Sequence, residues 1–150
     1  MDYTIVDMSN IELLKQCRRF SKVMKVWGTL ELKSLGIGPQ QAGIMHFISR
    51  NDCCSASELS RFTLTDPAAT GRALDALEKK RWVIRKEHPT DRRLWVLQLS
   101  ALGKKQLPAL NRISQKMERK LERYLSSGER YALKVLLEKL TASITQSISK

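Results

Sequence analysis

The chain has 150 residues, 42% of them apolar and 28% charged, and 27 Lys and Arg against 15 Asp and Glu give a formal net charge of +12. That length suits one domain burying roughly 70% of its unfolded surface, and the basic excess points to a polyanionic partner such as nucleic acid. No run of about 18 apolar residues is present to span a membrane. The acidic opening MDYTIVDMSN lacks the blocks of a secretion signal, and three cysteines, two of them adjacent at Cys53 and Cys54, make no disulfide framework. A reducing cytoplasmic setting is expected.

Residues 10–35 read as a long helix, because Leu13, Cys17, Phe20, Met24 and Trp27 recur at spacings of four and three in a heptad-like seam. Gly36 ends it, and Gly38-Pro39 opens a second helix reaching Arg50, with Ile44, Phe47 and Ile48 on one face. A short third helix starts at Ser55, where Glu58 completes a capping box and Leu59 and Phe62 are its anchors. After the turn at Leu64-Thr65, Asp66 is the N-cap and Pro67 the first residue of a fourth helix running to about Lys80. Its inward face holds Ala73, Leu74 and Leu77. Two helices across so tight a connection make a helix-turn-helix.

Residues 82–87 and 94–99 are β-rich, and His88-Pro89-Thr90-Asp91-Arg92 is the turn between them. Ser100 caps a fifth helix to about Leu125, carrying Leu107, Leu110, Ile113, Met117, Leu121 and Tyr124, with Pro108 near its start. Ser126 and Glu129 form another capping box, and Leu133, Leu137, Leu140, Ile144 and Ile148 line the last helix. The predicted fold is mainly α with a small β-hairpin wing. Residues 1–150 form one domain, with a winged helix-turn-helix at 37–100 flanked by helices 10–35 and 101–148. The apolar stripes of those flanking helices need a partner. A two-fold dimer supplies one; packing of the three against each other is the alternative.

Charge placement sharpens the partner to double-stranded DNA. Arg72, Lys79, Lys80, Arg81, Arg85, Lys86, Arg92, Arg93, Lys104 and Lys105 crowd the fourth helix and the wing, opposed only by Asp75, Glu78, Glu87 and Asp91. The sequence has no glycine-rich phosphate loop, no His-x-x-x-His and no glycine-flanked nucleophilic serine, and its only histidines are His46 and His88. An enzyme is therefore not expected, nor a cofactor. Cys53-Cys54 with His46 fit no standard zinc spacing, so no metal is expected either.

Four blocks in order resemble the MarR family (multiple antibiotic resistance regulators) of bacterial transcription factors. They are Leu74-Asp75-Ala76-Leu77-Glu78-Lys79-Lys80, Val83-Ile84-Arg85, Pro89-Thr90-Asp91-Arg92-Arg93 and Leu97-Gln98-Leu99-Ser100-Ala101-Leu102-Gly103. Gly38-Pro39-Gln40-Gln41 also resembles the family's start of the second helix, and the likeness covers nearly the whole chain. It implies a homodimeric, nucleoid-associated regulator on a pseudo-palindromic operator, a repressor released by a small aromatic or phenolic effector. Two departures stand out. Arg81 occupies a position where the family usually has glycine, and the early recognition helix reads Ala68-Ala69, whose methyls can touch thymine methyls but cannot hydrogen-bond a base.

The candidate DNA contacts are Ser57, Ala68, Ala69, Thr70, Arg72, Lys86, Thr90, Arg92 and Arg93. Base reading falls mainly on Thr70 and Arg72; for Arg72 a bidentate guanine contact and a phosphate contact are both open. Asp91 fixes the wing by pairing with an arginine. The resemblance makes Arg93 that partner and Arg92 the freer tip, although the two can exchange roles. Met24, Trp27, Met45 and Phe47 are candidate lining for an effector cleft, with core packing as the alternative. Cys17 is either a small apolar seam residue or, by resemblance to the peroxide-sensing branch, a redox switch. Two other functions remain open: a non-specific architectural DNA binder and a winged-helix protein-interaction module.

Overall fold

The computed structural model of the chain describes residues 8–51, 54–63, 65–88, 90, 91 and 94–148. Six helices and one antiparallel hairpin follow in the order α1 (Met8–Leu32), α2 (Pro39–Arg50), α3 (Ala56–Thr63), α4 (Pro67–Lys79), β1 (Val83–Glu87), β2 (Trp95–Leu99), α5 (Ala101–Glu122) and α6 (Ser127–Ile148). A single turn of 3-10 helix, Lys33–Leu35, separates α1 from α2 and ends at Gly36 in the left-handed conformation, φ 61°. The expected fold class is observed. No helix among the described residues is long and apolar enough to cross a membrane.

The chain forms two compact units, one through Leu110 and one from Asn111 onward. In the first, Ile44, Met45 and Ile48 of α2, Leu59 of α3, Leu74 and Leu77 of α4 and Val83 of β1 are buried together with Leu110. Each helix contributes one apolar stripe, as the 3.6-residue period requires. In the hairpin Val83 faces Leu99 and Glu87 faces Trp95. On the other edge of β2, the Leu97 amide donates to the Cys54 carbonyl at 2.8 Å, so the segment before α3 adds a one-residue bridge to the sheet.

In the second unit, Ser126 and Glu129 reciprocate across the first turn of α6. The Ser126 amide and hydroxyl donate to the Glu129 carboxylate at 2.8 and 2.7 Å, and the Glu129 amide donates back at 3.3 Å. Those bonds to Ser126 hold the Glu129 carboxyl below its ordinary range. Leu133, Leu137, Leu140, Ile144 and Ile148 of α6 are all exposed in the isolated chain, as are Leu13 and Phe20 of α1. The predicted stripes are thus present and uncovered.

Candidate nucleic-acid interface

The helix-turn-helix is α3 and α4, and each begins on a side-chain cap. Ser55 donates to the Glu58 carboxylate through its amide at 2.7 Å and its hydroxyl at 2.8 Å, and accepts from the Glu58 amide at 3.2 Å. Ser55 is therefore a cap, and Ser57 stands exposed beside it in the first turn of α3. The Asp66 carboxylate accepts from the Ala69 amide at 2.8 Å with Pro67 in the first helical position, so α4 starts where the sequence places it.

Ala68, Arg72, Asp75 and Lys79 form the outward face of α4 and all are exposed. Thr70 is not among them. It is only 1% exposed, and its hydroxyl oxygen has no partner among the described residues. A buried hydroxyl cannot touch a base edge, so Thr70 leaves the set of base readers and Arg72 stays. Phe62, expected as an anchor of α3, is also mostly exposed and instead stacks on Phe47 with ring centroids 4.3 Å apart.

The end of α4 explains how Arg81 is accommodated. Arg81 is left-handed at φ 58°, its amide donates to the Glu78 carbonyl at 2.8 Å, and the Trp82 amide donates to the Leu77 carbonyl at 3.0 Å. These are the two bonds of a Schellman motif, whose left-handed position normally holds glycine. Ser100 then clamps it: its hydroxyl donates to the Arg81 carbonyl at 2.5 Å and accepts from the Gly103 amide at 3.0 Å, while its own amide donates to the Trp82 carbonyl at 3.0 Å. Gly103 is required there, because a Cβ would collide with the Trp82 carbonyl. One serine thus joins the end of the recognition helix, the root of the wing and the start of α5.

The wing is also tied to α4 along its length. Arg85 of β1 meets Glu78 at 2.9 Å and Asp75 at 3.5 Å. In the sequence Arg85 is legible only as one of the basic residues crowding the fourth helix and the wing; the bridge spans a helix and a strand, and no periodicity links its members. Beyond it Lys86, Thr90 and Asp91 are exposed. Arg92 and Arg93 lie outside the described residues, and with them the proposed pairing to Asp91.

An open groove of about 790 Å³ borders α4 and is walled by Lys25 and Thr29 of α1, Gln40 of α2, Thr63 and Thr65 at the turn, and Arg72 of α4, among others. Met24, Trp27, Met45 and Phe47 do not line it. Met45 is wholly buried in the core, and the Trp27 indole donates to Glu31 at 3.1 Å. Cys17 is exposed on α1 in the isolated chain. No cluster of three metal-binding side chains occurs among the described residues. On α2, His46 is held below its ordinary value of 6.5, first by burial and then by Arg50.

The MarR family model matches residues 35–94, from the end of the 3-10 turn through the hairpin tip. Residues 35–94 are thus similar in sequence to the MarR family. A Thauera aromatica protein assigned as the transcriptional regulatory protein for the hcr operon is 28% identical over 105 residues. That match covers 70% of this chain and spans 63% of the relative's own length. In fold, the MarR/EmrR family transcriptional regulator from Acinetobacter sp. ADP1 superposes with a TM-score of 0.82 at 22% identity, over 91% of this chain and 97% of that one. A mutant of E. coli MarR complexed with operator DNA gives 0.81 at 24% identity, over 91% and 99%. The MarR-type winged-helix fold is thus shared across nearly the full chain, while Arg81 and the Ala68-Ala69 pair are this chain's own.

Proposed function

We propose that the chain is a transcriptional regulator that binds double-stranded DNA in a sequence-specific manner through the unit 37–100, with 10–35 and 101–148 as dimerisation helices. The observation that carries it is the outward face of α4, an Asp66-capped helix showing Ala68, Arg72 and Lys79, with the wing fixed beside it by Arg85. Such a helix fits a major groove and such a wing the neighbouring backbone. The fold is the one that E. coli MarR places on operator DNA.

The uncovered stripes of α1 and α6 support a homodimer, whose two-fold symmetry suits a pseudo-palindromic operator. Repression relieved by a ligand is the proposed mode, and the groove carrying Lys25 and Arg72 suits a small aromatic or phenolic effector. The effector acts by binding the DNA-free state more tightly than the DNA-bound one. A second reading, a non-specific architectural DNA binder, is favoured by the scarcity of base readers on α4 once Thr70 is buried.

Selection from a random duplex library with purified protein separates them. An enriched inverted repeat is expected, and Arg72→Ala is expected to weaken binding to it by roughly 1–3 kcal/mol. Binding without enrichment leaves the architectural reading. No binding at low salt leaves a protein-interaction module.

A further inference from the structure

The turn at the wing tip is organised around an imidazole. His88 directly follows β1, and its amide donates to the Leu94 carbonyl at 2.8 Å, closing the hairpin just outside its last strand pair. The Leu94 amide donates in turn to the Asp91 carbonyl at 3.0 Å. Inside this loop the His88 ring Nδ1 faces three donors: the Thr90 amide at 3.3 Å, the Asp91 amide at 3.3 Å and the Thr90 hydroxyl at 3.1 Å.

Backbone amides can only donate, so Nδ1 must offer its lone pair and the ring proton must sit on Nε2. The arrangement is an Asx-turn in which an imidazole nitrogen replaces the carboxylate or amide oxygen that normally accepts from the residue two places on. A doubly protonated ring has no acceptor left to give.

We propose that His88 is a positioning residue for the wing, whose neutral Nε2–H ring caps the tip turn that precedes Arg92 and Arg93 in the sequence. This role in recognition rests on the DNA-binding function proposed above. The ionisable groups flanking the ring are Lys86 and Glu87 on β1 and Asp91 in the turn, with Arg92 and Arg93 next along the chain. Loss of the cap loosens the turn at Thr90 and Asp91 and so weakens binding.

Two measurements on the full chain decide it. Nitrogen-15 NMR of the free protein at neutral pH is expected to show His88 as the Nε2–H tautomer; an Nδ1–H ring overturns the cap whatever the protein binds. On a mixed-sequence duplex at low salt, His88→Ala is expected to weaken binding about fivefold, the size of a lost cap, and His88→Asn to restore it through its side-chain oxygen. Equal affinity of wild type and His88→Ala, or failure of His88→Asn to restore affinity, overturns the positioning role. If the wild type binds no duplex, the DNA-binding function falls, while the tautomer still decides the cap.

Discussion

Arg81 holds a conformation that a side chain disfavours by roughly 1 kcal/mol, at φ 58°. Arg81→Gly is expected to raise stability by up to about 1 kcal/mol, less the greater unfolded-state freedom of glycine. Thermal unfolding followed by circular dichroism checks it, and a lowered midpoint would mean that the side chain holds more than the backbone loses. This position was legible through the resemblance to the MarR family, whose members usually hold glycine there. Thr70 was equally readable and was misjudged: it stands three, four and seven residues before Ala73, Leu74 and Leu77, on the buried stripe. His88 was not readable, because its role depends on turn geometry that no spacing encodes.

At the scale of elements, the caps at Ser55, Asp66 and Ser126 all formed where the sequence signals put them, since capping is local chemistry within one turn. The ties between elements are another matter. Arg85 joins β1 to α4 through two carboxylates, with its own side chain 44% exposed and that of Glu78 29% exposed. Screened pairs of this kind contribute at most about 1 kcal/mol to folding. Arg85→Ala is therefore expected to leave the unfolding midpoint nearly unchanged while weakening duplex affinity, because the wing loses its registration against α4. Parallel denaturant titrations and binding isotherms test this, and equal losses in both would make Arg85 a residue of the fold alone.

For the whole molecule, the decisive fact is how much apolar side chain the isolated chain leaves in water. On α6, Leu137 is 46% and Ile144 57% exposed, and on α1 Leu13 is 58% exposed. Burying the half of each such side chain that remains exposed contributes roughly 1 kcal/mol, which favours a covering surface such as a second copy. Leu137→Lys with Ile144→Lys is expected to give a monomer by light scattering at micromolar concentration, with much weaker duplex binding. A wild-type monomer under the same conditions would remove the homodimer. Sequence showed these stripes clearly, yet one chain cannot specify what covers them.

The clamp of Ser100 on Arg81, Trp82 and Gly103 also decides where the hairpin can breathe. A ribbon pinned at its root opens from the far end, and local openings span a range of free energies up to that of global unfolding. Amides near the root are therefore expected to exchange with solvent later than those farther along β1 and β2. Opening of the ribbon would thus leave the end of α4 in place.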